Sequence, residues 1–321
     1  MKILLTTTSY QDTPGPHHEL LASSGYEVVR ARGPLSEAEM LALIEEHDGF
    51  DGLLNGDDQI TPQVIDAALP RLKVIAKYGI GLDSIAVEHA TAKRLPVLFT
   101  PGVNHTTVAE HAIGLMIALA KQFWPHLRDV KNGEWRRRTG HELAGKTLGV
   151  IGLGRIGREV VLRGRAFGMR CCGFDLYWPD QFAAEQEVQR LDSADAVLEQ
   201  ADVVSLHTNL TDETRGFVNA ERIARMKDGA YLINTARGGL IEETAVADAC
   251  RSGKLGGYGG DVLCEEPMQA GHAFQDIDNV IITPHIGSRT SESVERQAMR
   301  ATRNLLNYLA GDDDYIQANS F

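Results

Sequence analysis

Short apolar runs alternate with amphipathic stretches along the first hundred residues. Residues 2–7, 27–31, 52–54, 72–77 and 96–100 read as strands, and the longer intervals between them read as helices. Residues 17–23 form one such helix. Ser36 with Glu39 makes a capping box that opens another, running to about Glu46. Thr61-Pro62 supplies a cap and a proline in the first turn of a third, and residues 86–94 suit a fourth. Strands that alternate with helices predict a parallel α/β layer.

The pattern then changes. Residues 106–121 are apolar nearly all round, with Val108, Ala112, Ile113, Leu115, Met116, Ile117 and Leu119, which predicts a helix in a domain core or a subunit contact. Trp135 and the arginines 136–138 form a basic loop after it. A second alternation follows, with strands expected at 147–151, 170–174, 203–207, 231–236, about 258–263, and 280–285. Residues 291–310 close the chain as an amphipathic helix with Val294, Ala298, Leu305 and Leu309 on one side. The tail from Gly311, with three aspartates, is expected to be exposed.

Two runs of alternation suit the length, since 321 residues predict about two domains at ~150 each. The net charge of −12 argues against a nucleic-acid or anionic-membrane partner, though not against a small anion in a local basic site. The four cysteines, at 171, 172, 250 and 264, have no CxxC or zinc-type spacing, so reduced thiols and no metal are expected. The first strand begins at once and no apolar run reaches ~18 residues, so neither a signal peptide nor a membrane span is expected. These features suggest a cytoplasmic protein.

The most specific chemistry lies mid-chain. Gly152-Leu153-Gly154-Arg155-Ile156-Gly157 follows the strand 147–151 and opens a helix to about Ala166, and Asp175 comes 18 residues after Gly157 at the end of the next strand. Strand, glycine spacing, helix and delayed acid together make a dinucleotide fingerprint. Gly152 permits the tight turn, Gly154 lets backbone approach a pyrophosphate, and Gly157 lets helix and strand pack closely. The pyrophosphate then meets unpaired amides at the helix N-terminus. Three more segments end strands of the same layer: 234–239 with Arg237, 260–267 with Asp261 and Glu266, and 283–288 with His285. Open parallel sheets bind ligands at the carboxyl ends of their strands. Carbonyl reduction needs a proton as hydride arrives, and histidine supplies one near neutral pH. A carboxylate on the far imidazole nitrogen fixes its orientation, and an arginine fork can hold a substrate carboxylate.

The order and spacing of these segments resemble the D-isomer-specific 2-hydroxyacid dehydrogenases, especially their phosphoglycerate-dehydrogenase-like branch. The resemblance runs through 77–83 (KYGIGLD), 100–104 (TPGVN), 108–111 (VAEH), 145–149 (GKTLG), GLGRIGRE from Gly152, NTARGG from Asn234 and TPHIG from Thr283. It implies that Arg237 binds the substrate carboxylate and carbonyl, that Glu266 pairs with His285, and that His285 is the acid/base. Asp261 would lie near the nicotinamide. Arg155, Ile156, Asp175, Thr208 and Thr235 match cofactor-contacting positions, with His207, Ala236 and Gly287 beside them. Lys77 and the backbone of Gly79, Ile80 and Gly81 match positions that meet the substrate.

The same resemblance implies two doubly wound parallel-sheet α/β domains: a Rossmann cofactor domain, 100–288, inserted in a flavodoxin-like substrate domain made of 1–99 and 289–321. Substrate would be held in a cleft that closes on it, the helix 106–121 would lie in a homodimer interface, and no regulatory C-terminal domain would follow. Two departures stand out. Asn55 occupies a position where phosphoglycerate-type members typically carry arginine, with Asp57 and Asp58 close by. Asn209 replaces a common proline. The reading is an NAD-dependent enzyme that interconverts a small 2-oxo acid and a D-2-hydroxy acid. Its alternatives are phosphoglycerate dehydrogenase proper, or an NAD(H)-linked corepressor-like binding protein, which would usually carry a long disordered tail. Formate dehydrogenases share the fold but lack the paired glutamate.

Overall fold

Two parallel sheets organise the chain. The computed structural model describes residues 1–321, which divide into one unit of Met1–Asn104 with Arg289–Phe321 and a second of His105–Ser288. The first unit holds strands β1 (Lys2–Leu5), β2 (Glu27–Arg30), β3 (Gly52–Asn55), β4 (Val74–Lys77) and β5 (Val97–Leu98), all parallel, in the order β2-β1-β3-β4-β5. This is the flavodoxin-like order. Successive side chains alternate between its faces. Leu4, Leu53 and Ile75 pack under the helices Glu37–Glu46 and Pro62–Ala68. Ile3, Leu5, Leu54 and Val74 face Ala298, Ala301 and Leu305 of the helix Ser291–Ala310. That helix belongs to the first unit because its apolar stripe covers a sheet face otherwise open to water. A fully buried leucine such as Leu305 contributes roughly 1.5–3 kcal/mol there.

The second unit holds β6 (Thr147–Ile151), β7 (Arg170–Phe174), β8 (Gln189–Arg190), β9 (Val203–Leu206), β10 (Ala230–Asn234), β11 (Leu255–Gly260) and β12 (Val280–Ile282), in the order β12-β11-β10-β9-β6-β7-β8. All pairs are parallel. The order reverses between β6 and β9, as in the Rossmann fold, and such a switch point opens a crevice at the strand carboxyl ends. The helices His105–Ala120 and Arg155–Ala166 cover one face, where Leu148, Val150, Val203 and Ile233 are buried. The other face, with Val204 and Leu232, packs against side chains such as Val197 and Val246.

Several elements depart from the sequence pattern. β11 runs Leu255–Gly260, not 258–263. Its LGGYGG sequence has few side chains and so carries no readable period. The helix Phe123–Lys131 and the two-residue edge strand β8 were not predicted. The tail is only partly exposed. Asp312, Asp313 and Asp314 face solvent, but the chain beyond them returns along β5. There Phe99 N donates to Ile316 O at 3.1 Å and Ala318 N donates to Val97 O at 2.8 Å. The unpaired edge of β5 recruits this segment, which gives its backbone groups partners. No helix is long and apolar enough to cross a membrane.

Candidate active site

The glycine loop turns at the end of β6. Gly152 has φ +94°, and a Cβ there would lie 2.5 Å from His207 O, so only glycine lets this loop lie against the end of β9 across the switch point. A Cβ on Gly157 would collide with the Gly152 carbonyl, whereas one on Gly154 would meet nothing within 4 Å. The helix Arg155–Ala166 therefore begins beside open space. Its N-cap is Gly154, with no side-chain cap and no acidic residue in the first turn. Unpaired amides facing open space suit a pyrophosphate. Nearby, Thr235 Oγ1 is buried without a hydrogen-bond partner at the end of β10. An open glycine cradle and an orphaned polar atom both fit a dinucleotide.

Asp175 ends β7 as expected, and its carboxylate also shapes the loop. Oδ2 accepts from Leu153 N at 2.6 Å and Oδ1 from Tyr177 N at 2.7 Å. His207, at the end of β9, contacts Ser205 Oγ through Nε2 at 2.8 Å. Burial pushes its imidazole down to about 3, so it is neutral at physiological pH.

Three strand ends carry the candidate residues Arg237, Glu266 and His285. Beyond β10, Asn234 is fully buried and clamps the next turn: its Nδ2 donates to Arg237 O at 2.8 Å and its Oδ1 accepts from Ala236 N at 3.1 Å. Arg237 Nη1 donates to Ala236 O at 2.7 Å. A Cβ on Gly238 would collide with the Leu263 backbone, so glycine there brings the Arg237 turn onto the loop that carries Glu266. In that loop Glu266 Oε1 accepts from Leu263 N at 3.0 Å, and Oε2 lies 2.9 Å from His285 Nδ1. Both side chains stay about two-fifths exposed, His285 at 42% and Glu266 at 39%, which leaves the imidazole accessible.

His285 has φ +53°, a left-handed conformation that costs a non-glycine residue roughly 1–2 kcal/mol. Asp261 maintains it. His285 N donates to Asp261 O at 2.9 Å, Ile286 N to Oδ1 at 2.9 Å and Gly287 N to Oδ2 at 2.7 Å. Burial opposes the charge on Asp261, but hydrogen bonds from His111, Thr283 and the Ile286 amide outweigh it and hold its carboxyl below the usual range. The resemblance placed Asp261 near the nicotinamide. In the structure its oxygens are already engaged by the His285 loop.

In the first unit, Gly79 N donates to Thr100 Oγ1 at 3.0 Å, which anchors the loop of Gly79, Ile80 and Gly81. Lys77 is almost fully buried, and its Nζ donates to Gly56 O and Asp57 Oδ1, both at 2.6 Å. Asp58 is buried and accepts from Leu35 N at 2.8 Å and Gly56 N at 3.0 Å, so it serves the fold. In the basic loop, Arg138 pairs with Asp129, and Arg136 lies 2.9 Å from Glu134. The clamping role of Asn234 and the packing role of Gly238 were not read from sequence. An Asn ahead of a turn is a known signal for side chain to backbone capping, but the tight contact at Gly238 is visible only in three dimensions.

A sequence profile of the D-isomer specific 2-hydroxyacid dehydrogenase NAD binding domain matches residues 113–287. The chain is 38% identical over 314 residues to a D-3-phosphoglycerate dehydrogenase of Methanocaldococcus jannaschii, covering 97% of this chain and 58% of that protein. It thus spans little more than half of that relative's length. It is 39% identical over 279 residues to a hydroxypyruvate reductase of Thermotoga maritima, covering 86% of this chain and 89% of that one. Among solved structures, the TT0316 protein of Thermus thermophilus superposes with a TM-score of 0.88 at 37% identity, over 99% of this chain and 100% of that one.

Proposed function

The chain belongs to the D-isomer-specific 2-hydroxyacid dehydrogenase family, and we propose that it is an NAD-dependent enzyme interconverting a small, non-phosphorylated 2-oxo acid and its D-2-hydroxy acid. The observation that carries this reading is the 2.9 Å pair of His285 Nδ1 and Glu266 Oε2, at the same sheet edge as the glycine cradle. NADH, held by the glycine cradle and Thr235, would supply the hydride. His285 delivers a proton from Nε2 to the carbonyl oxygen, because Glu266 holds Nδ1 and leaves Nε2 to face substrate. Arg237 grips the substrate carboxylate through its planar fork. Thr208 and Thr235 are assigned to the cofactor.

The absence of phosphate from the substrate is supported by the way the local charges pair. A phosphate carries nearly two charges and needs well-placed cations. Asn55 stands where an arginine would serve, and the charge of Lys77 is met by Asp57. Arg136 and Arg138 also have carboxylate partners within the chain. The name of the Methanocaldococcus jannaschii relative favours the competing reading, phosphoglycerate dehydrogenase proper. NADH oxidation with hydroxypyruvate, glyoxylate and 3-phosphohydroxypyruvate decides between them. A kcat/KM preference of more than about tenfold for the phosphorylated compound, ~1.4 kcal/mol in the transition state, overturns the non-phosphorylated reading. NADH binding without turnover on any 2-oxo acid favours the corepressor-like alternative.

We further propose a homodimer in a reducing, cytoplasmic compartment. Phe123, Leu127 and Val130 make an exposed apolar stripe on the helix Phe123–Lys131, at 48%, 58% and 53% exposure, and a second copy of the chain is its proposed partner. Light scattering of Leu127→Asp against the parent chain tests this, with a monomer expected. All four cysteines are free thiols, which supports a reducing compartment.

A further inference from the structure

We propose that His111, outside the Arg237–Glu266–His285 set, is a positioning residue that sets the geometry of His285 through Thr283 and Asp261. The proposal rests on the assignment of His285 as the acid/base.

The period of one helix matches the period of one strand. On the helix His105–Ala120, His111, Leu115 and Leu119 recur every four residues and so share one face. On β11 and just beyond it, Gly257, Gly259 and Asp261 recur every two residues and also share one face. One step on the helix rises about 6 Å and one on the strand about 6.6 Å, so the two series stay in register. The contacts follow that register. A Cβ on Gly257 would lie 2.9 Å from Leu119 Cδ2, and one on Gly259 would lie 3.0 Å from Leu115 Cβ. The glycines admit the helix close to the strand. The third step of each series brings His111 to Asp261, with Nε2 3.4 Å from Oδ1.

The hydrogen bonds at that step have a single consistent direction. Thr283 has one hydroxyl proton and donates it to Asp261 Oδ1 at 2.6 Å. The Thr283 oxygen lies 2.8 Å from His111 Nε2 and must therefore accept, so His111 carries its proton on Nε2. Asp261 in turn receives the amides of Ile286 and Gly287 through its side chain and that of His285 through its carbonyl. A Cβ on Gly287 would lie 2.8 Å from Asp261 Oδ2 and 3.6 Å from His111 Cδ2, so the loop closes directly on this pair. The chain of contacts thus leads from the helix, through Thr283 and Asp261, to three successive amides around the left-handed His285. Without the His111 donor, Thr283 is no longer fixed from behind, and the loop that aims His285 at Glu266 loses one of its supports.

The test compares His111→Ala, His111→Gln, Thr283→Val and His285→Ala in the full chain by steady-state kinetics, pH profiles and NADH titration. His285→Ala should cut kcat by roughly 10²–10⁴. His111→Ala should lower kcat about tenfold to a hundredfold, the scale of a small misplacement at the reacting centre. It should shift the pH at which reduction falls off and leave NADH affinity within about twofold. His111→Gln keeps a donor and should recover most of kcat. Thr283→Val should resemble His111→Ala, and the double variant should be no worse than either alone. If His111→Ala is unstable, the His111→Gln rescue and the Thr283→Val profile decide the matter. Turnover that survives His285→Ala overturns the acid/base assignment and the inference with it. Loss in His285→Ala, with unchanged kcat and pH profile in His111→Ala and Thr283→Val, overturns the positioning role alone.

Discussion

His285 Nδ1 lies 2.9 Å from Glu266 Oε2, and the two residues meet from different loops of one sheet edge. A carboxylate in that place favours the imidazolium and fixes which ring nitrogen faces outward. His285→Ala should therefore cut kcat by roughly 10²–10⁴ while NADH still binds. Glu266→Gln should move the pH at which reductive turnover declines downward, because the proton is held less tightly. Near-normal turnover in His285→Ala would remove it from the mechanism.

Asp175 sets the choice between the two nicotinamide cofactors. A 2′-phosphate beside its carboxylate would meet a like charge, and Leu176, Tyr177 and Trp178 add no cation. NADH should be preferred over NADPH by at least about tenfold in kcat/KM. Asp175 also holds Leu153 N of the glycine loop. Asp175→Ala should thus weaken NADH binding without conferring efficient use of NADPH. Equal use of both cofactors by the parent chain would show that Asp175 serves the loop alone.

Gly154 and Gly157 should respond differently to alanine. The position of Gly154 is open and its φ of −69° suits any residue, so Gly154→Ala should fold normally and bind NADH about tenfold more weakly or worse. In Gly157→Ala the new methyl collides with the Gly152 carbonyl, so thermal stability should fall as well. Calorimetry beside fluorescence titration separates the two effects. A stable Gly157→Ala with full affinity would contradict the packing described for this loop.

His207 makes stability depend on pH. Its folded-state value of about 3 lies well below the unfolded value of ~6.5. The unfolded chain therefore binds a proton first as pH falls. The stabilisation is complete above about pH 6.5 and is lost on acidification towards pH 3, at up to ~1.4 kcal/mol per pH unit. Urea unfolding of the cofactor-free protein between about pH 7 and pH 5 should show that slope, and His207→Gln should flatten it by about one proton. Identical slopes would mean that His207 titrates normally in the folded chain.

Arg237, Glu266 and His285 were candidates from the order of their motifs along the chain; the α/β class and the tight glycine turn were legible from residue pattern alone. Those features rest on local rules: the strand and helix periods, a capping box at Ser36 and Glu39, and glycine where a turn must be tight. The strand 147–151 and the helix 291–310 were readable to the residue because their side chains carry a clear period. β11 was misplaced because glycines carry none. Which polar groups neutralise one another emerged only in three dimensions. Lys77 on Asp57, Arg138 on Asp129 and Asp261 on the His285 loop are pairings between residues apart in sequence, set by sheet order and loop packing. The approach of His111 to Asp261 belongs to the same kind. It depends on a helix lying against glycines of β11 that are distant in sequence, and it exists only after both sheet faces have found their cover.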